Sequence, residues 1–259
     1  MASWRKGEEG AAAKEKLRQG ITDLWILINE TTNLRTPGKD RSKDRLPQAL
    51  RLLPLWGLGS GALLWGAAWA LYPGYFFVSA WLLVCLDLIL GGLYILRRLM
   101  LWSAGIGERT DLDESWLPRS LPAVVWGFLW LLLLYGAYFR LLHNEEWQAF
   151  LLAMVVSRWI FCWLVRLGPE AYPGFWHKGF DGRCFSFATC STLLIVLPFC
   201  SLQLFGAMLS ALLGVVMFAG SCRRRFGCLY QNGYCFCTGW GQVLFLWSWS
   251  FLDGLGQLF

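Results

Sequence analysis

The chain has 259 residues, of which 56% are hydrophobic and only 15% charged. Soluble domains carry ~25% charged residues, so this composition excludes a water-soluble fold and points to a membrane protein. The net charge of +6 sits in loops that face anionic lipid, which argues against a nucleic-acid partner.

Residues 1–51 form a polar, basic leader. Met1–Gly20 has no apolar core of a cleavable signal, Ala11–Arg18 suits a short helix, and Thr36–Asp44 is a turn-rich charged loop. Residues 52–259 are then expected to form one helical membrane domain. Apolar runs occupy Leu52–Tyr72, Tyr75–Ile95, Leu121–Leu142, Trp147–Leu167, about Phe185–Leu204, Phe205–Gly220 and Val243–Phe259. A bilayer core of roughly 30 Å needs ~20 helical residues, so the expectation is an all-α polytopic protein with about six to seven spans. The run from Phe185 to Gly220 is interrupted in polarity only near Gln203, and Arg223–Gln242 is expected to be a loop.

The Lys and Arg residues fix the expected orientation. They fill the leader, then Arg97, Arg98, Arg109 and Arg119, then Arg166, Lys178 and Arg183, then Arg223, Arg224 and Arg225. Of the 23 basic residues, only Arg140 and Arg158 fall elsewhere. Cytoplasmic loops are enriched in Lys and Arg, so the N-terminus is placed in the cytoplasm. Trp56, Trp65, Trp69, Trp126, Trp130, Trp159 and Trp163 recur at helical spacing, as packing or lipid-facing side chains do. Cys85, Cys162, Cys190 and Cys200 are read as small apolar packing residues. Cys222, Cys228, Cys235 and Cys237 crowd one segment without the paired C-x2–4-C spacing of a zinc site.

Two ionisable residues lie within spans, where charge is costly and marks pairing or function. Asp87 and Arg158 are each roughly two turns from the cytoplasmic ends of their spans, so they meet at one depth. One reading makes them a buried pair. The other makes Arg158 a phosphate ligand in a cavity open to the cytoplasm.

Two cytoplasmic segments carry paired or single glycines beside arginines: Leu90-Gly91-Gly92-Leu93-Tyr94-Ile95-Leu96-Arg97-Arg98, and Arg223–Tyr234 with Gly227 and Asn232. Glycine permits positive φ and close backbone approach, which phosphate-handling loops use. The alternative is a helix end followed by basic anchors.

These segments, with Leu53-Pro54-Leu55-Trp56-Gly57, Arg158 and the Pro/Gly-rich stretch Pro169–Phe180, follow an order and spacing that resemble the cobalamin (5'-phosphate) synthases. Those enzymes are also called adenosylcobinamide-GDP ribazoletransferases, and the resemblance runs from about Leu53 to Leu246. It implies a multi-pass protein of the cell (inner) membrane. The implied reaction joins α-ribazole or its 5'-phosphate to adenosylcobinamide-GDP with release of GMP. Substrate and phosphate binding would fall to Gly91, Gly92, Arg158, Gly227 and Asn232, and Mg2+ would be the implied cofactor.

The departures lie at the acidic positions. The family's histidine falls at Tyr94, its loop aspartates at Leu96, Met100 and Ser103, its later aspartate at Asn232 and its glutamate at Gln242. Leu and Met cannot ligate Mg2+, and neutral amides hold it weakly. Asp111, Asp113 and Glu114 in the same loop are candidate replacement ligands, or else a solvated acidic turn. Two rivals to the enzyme remain: an inactive membrane relative that binds corrinoid or a partner, and a small transporter using Asp87 and Arg158. The sequence leaves the oligomeric state open.

Overall fold

A computed structural model describes residues 14–15, 18–28, 46–72, 74–92, 95–98, 100, 121–167, 180–226 and 231–256, and the described residues contain no strand. A helix covers 18–28, and a short helical turn, Leu46–Ala49 continued by Leu50–Leu52, leads into the long helices. These are α1 (Leu53–Leu71), α2 (Phe76–Asp87), α3 (Leu121–His143), α4 (Trp147–Leu167), α5 (Gly182–Val196), α6 (Leu202–Phe226) and α7 (Gln231–Gly256). Among the described residues, four helical stretches are long and apolar enough to cross a membrane: Val124–His143, Trp147–Arg166, Gly182–Phe199 (α5 with the 3-10 turn that follows it) and Leu202–Cys222. Phe76–Gly91 is a shorter apolar helix.

The centre of the bundle is α4. Its apolar stretch is 83% buried, against 17–33% for the other three, so it packs on protein all round while they keep wide apolar faces outward. Helix α1 lies along one side of α4 and α7 along another; α6 backs α7, and α2 pairs with α3. Pro54 starts α1, where a missing N–H costs nothing. Three residues on, Gly57 is on the buried side. A Cβ there would stand 2.8 Å from the Met154 carbonyl oxygen, and one at Gly61 would stand 2.8 Å from Leu151 Cα. The Gly57-x-x-x-Gly61 spacing therefore lets the α1 and α4 backbones touch.

Two boundaries differ from the sequence expectation. The apolar run from Phe185 onward breaks at Cys200–Ser201, a few residues before Gln203. Pro198 tightens the last turn, and Ser201 Oγ accepts from the Leu204 N–H at 3.1 Å to start α6. Gln203 is no break; its Nε2 donates to the Trp249 carbonyl on α7 at 3.0 Å. The expected Arg223–Gln242 loop is largely helix, since α6 runs through Phe226 and α7 begins at Gln231. The glycines there do not end the helix because α7 uses them for packing. A Cβ at Gly239 would meet Ile95 at 2.5 Å, and one at Gly241 would meet Ile160 and Val215 at 3.3 Å.

At the end expected to face outward, the turn between α3 and α4 passes through Glu145 at φ 60. The Tyr72 hydroxyl donates to the Glu145 carboxylate. Glu146 accepts from Trp249 Nε1 at 2.8 Å, and burial, with the nearby Asp253 carboxyl, pushes its carboxyl up. The turn thus fastens α1 and the end of α7 to the α3–α4 hairpin.

At the opposite end, Asp181 caps α5 by accepting from the Cys184 N–H at 2.8 Å, and that bond holds its carboxyl below the usual range. A depressed carboxyl stabilises the cap above its unfolded pKa and loses that contribution as pH falls through the lowered value. Hydrogen exchange, normalised for intrinsic rate, is expected to show falling protection at Cys184 below the ordinary carboxyl range. Asp181→Ala is expected to show the same loss already at neutral pH. Equal protection in both proteins at neutral pH would rule the cap out.

Candidate functional site

The polar centre of the bundle lies where α2, α3, α4 and α7 meet. Asp87, the last residue of α2, is 1% exposed, and Tyr138 of α3, Arg158 of α4 and Gln242 of α7 are equally deep. Asp87 Oδ2 accepts from the Tyr138 hydroxyl at 2.9 Å and from Gln242 Nε2 at 2.9 Å; Gln242 Nε2 also lies 3.3 Å from the Tyr138 oxygen. Its other oxygen, Oδ1, is buried without a hydrogen-bond partner among the described residues. Sequence reasoning found Asp87 and Arg158 but missed Tyr138 and Gln242 as partners. A glutamine inside the apolar stretch of α7 was the available signal, because a buried amide needs partners.

Among the described residues Asp87 and Arg158 form no direct ion pair. Arg158 Nη1 donates to Ser157 Oγ at 3.2 Å, and its aliphatic stem packs beside Gly57. Arg158 acts on Asp87 through its field and not through a shared hydrogen bond. The expected pair is therefore a looser association, with Tyr138 and Gln242 taking the carboxyl oxygen.

Directly after Asp87 the helix widens into a π turn over Leu88–Gly92, and Gly91 takes φ 140, a conformation that an L side chain rarely adopts. The positive φ expected of the paired glycines is present at Gly91. The turn redirects the chain so that 95–98 become helical again and wedge between α3 and α7. Ile95 Cγ2 lies against Gly239, beside the Trp130 indole, whose N–H reaches the Gly239 carbonyl at 3.3 Å. Leu96 and Met100 pack on Gly127 of α3. Two positions where the resemblance puts aspartates are thus apolar packing residues.

That packing decides whether Mg2+ suits the residues seen. Among the described residues, no three His, Cys, Asp or Glu side chains converge as a cation would require. Gln242, at the family's glutamate position, spends its amide on Asp87 and Tyr138. The described residues do not fit the ion. Asp111, Asp113, Glu114 and Gly227 lie outside the described residues, as do Tyr94 and Ser103, and Asn232 falls in the first turn of α7.

No disulfide joins two described cysteines. Cys162, Cys222, Cys235 and Cys237 are buried, the first donating to the Leu50 carbonyl at 3.4 Å, whereas Cys85, Cys190 and Cys200 face outward rather than into the packing. Cys228 lies outside the described residues.

The family model of cobalamin-5-phosphate synthase matches residues 122–248. That stretch runs from Pro122 in α3 to Ser248 in α7 and includes Tyr138, Arg158 and Gln242. No curated protein and no solved structure matches the chain. Residues 122–248, which hold three of the four side chains of the polar centre, are thus similar to the cobalamin-5-phosphate synthase family.

Proposed function

We propose that this chain serves cobalamin synthesis at the family's own step, joining α-ribazole or its 5'-phosphate to adenosylcobinamide-GDP. A ribazole hydroxyl would form the new P–O bond while the P–O bond to GMP breaks, and the hydroxyl proton would leave. The observation that carries this reading is the family match, since its boundaries enclose Tyr138, Arg158 and Gln242, three of the four side chains of the buried polar centre. In this reading the bilayer of the cell (inner) membrane holds the helices. The backbone at Gly91, Gly92 and Gly227, with Asn232 and Arg158, would receive the phosphates and the corrinoid substrate. The positive φ at Gly91 supports that assignment, because it lets backbone N–H groups approach an anion.

A second reading, a relative that binds the corrinoid without turnover, is favoured by the packing of Leu96 and Met100 on Gly127. The transporter reading draws no support from an Asp87 only 1% exposed and tied to two neighbouring helices. The test is GMP release and cobalamin formation by membranes supplied with adenosylcobinamide-GDP, α-ribazole and Mg2+. Activity is expected, and Asp111→Ala and Asp113→Ala are expected to lower it ~100-fold or more, because metal charge is worth several kcal/mol and each ~1.4 kcal/mol is tenfold. No GMP release beside an active relative, with corrinoid still retained by the membranes, would replace the enzyme with the binding protein.

A further inference from the structure

The leader contributes a folded element that the proposed reaction does not use. Helix 18–28 buries one side, where Asp23, Ile26 and Leu27 are 5%, 9% and 0% exposed. Asp23 Oδ2 meets Arg51 Nη2 at 3.2 Å, so the helix is fastened two residues before Leu53 opens α1. The opposite face carries Arg18, Ile21, Thr22 and Trp25 at helical spacing, all exposed. Ile21 is 62% and Trp25 54% exposed. Thr22 satisfies its own hydroxyl on the Arg18 carbonyl at 2.9 Å.

We infer that helix 18–28 lies on the surface of the bilayer, with Ile21 and Trp25 in the headgroup layer and Arg18 on anionic phospholipid. The Asp23–Arg51 bond sets its level. Arg51 is one helical turn from Leu55, an exposed apolar residue of α1, so the apolar surface of the bundle begins ~6 Å along the axis from the fastening point. The Asp23–Arg51 bond thus fastens the helix beside the end of α1 at which this exposed apolar surface begins. Charge agrees with that occupant. Arg18 is exposed at the start of the helix and Arg183 at the start of α5, while the acid within 18–28, Asp23, is turned inward. A Trp and an Ile flanked by cations form the composition of an interfacial helix, in which apolar burial and attraction to anionic headgroups add. A soluble partner would have no reason to find its site at that level.

The inference is independent of whether the chain turns over. Its test uses the full chain, with p-benzoylphenylalanine in place of Ile21 or Trp25, reconstituted into vesicles of phosphatidylcholine alone or with phosphatidylglycerol. Irradiation is expected to give lipid adducts at both positions, several-fold more where phosphatidylglycerol is present. Adducts to another stretch of this chain or to a second copy, or no lipid adduct, would overturn it. Equal yields in the two compositions would overturn the anionic-lipid assignment. As a second readout, Ile21→Asp/Trp25→Asp keeps the buried side intact. It is expected to speed tryptic cleavage at Arg18 at least tenfold in vesicles and to change it little in detergent. Unchanged cleavage in vesicles would contradict the surface location.

Discussion

Gly61→Val is expected to separate α1 from α4 and to lower the stability of the bundle more than any other single change on α1. The reason is backbone contact. Even a lone Cβ at Gly61 would stand 2.8 Å from Leu151 Cα and 2.9 Å from its carbonyl oxygen, and neither atom can turn away as a side chain could. Overpacking a dense interface costs ~1–3 kcal/mol where neighbours can adjust, and here the helix itself must move. Gly61→Ala is expected at the upper end of that range, and Gly61→Val beyond it. Gly57→Ala adds a second effect, because its Cβ would press on Arg158 Cδ at 3.1 Å as well as on the Met154 carbonyl. Gly59→Ala is the control, since nothing lies within 4 Å of a Cβ there. Unfolding in detergent by SDS titration, followed by circular dichroism, would rank the variants. Gly61→Ala as stable as Gly59→Ala would mean the α1–α4 contact is not as described.

The second large effect is expected at Arg158. Breaking a direct buried ion pair by removing one partner costs ~3–5 kcal/mol, and the looser Asp87–Arg158 association is expected to fall below that range. Arg158→Leu strips Asp87 of the cation whose field reaches it, while Tyr138 and Gln242 still hold Oδ2. Asp87→Asn on the Arg158→Leu background is expected to recover part of the loss, giving a coupling of ~0.5–3 kcal/mol in a double-mutant cycle. Tyr138→Phe is expected to cost less, ~0.6 kcal/mol and at most ~1.7, as single interhelical hydrogen bonds in membranes do. Additive losses for Asp87→Asn and Arg158→Leu would show that the two side chains are energetically separate.

The fold was legible where the signal is local. Apolar runs of span length announced α1 to α4, and the boundaries at Tyr72–Tyr75 and His143–Trp147 came within a few residues, because a polar or Pro/Gly turn interrupts hydrophobicity there. The α5–α6 break was misplaced because proline geometry and a serine cap, not the more polar glutamine, end one helix and start the next. The start of α7 was missed because its first turns are rich in Gly and Cys, which depress helix propensity and mean hydropathy alike. Two of the glycines, Gly239 and Gly241, pack on Ile95, Ile160 and Val215.

The candidate site was legible only in part. Gly91 had its positive φ written in the residue type, and Asp87 and Arg158 stood out as ions among apolar neighbours. The sequence by itself determined the helical class, the course of the apolar helices and the positions at which polar atoms had to be satisfied. Those properties follow from composition over a few turns. Only the tertiary structure decided how they are satisfied: Asp87 by Tyr138 and Gln242, 51 and 155 residues away, and not by direct contact with Arg158. It also decided that Leu96 and Met100 fill space against Gly127. Such choices depend on how close two helices come, which is set by a glycine on one partner facing larger residues on the other and has no period that one helix displays alone.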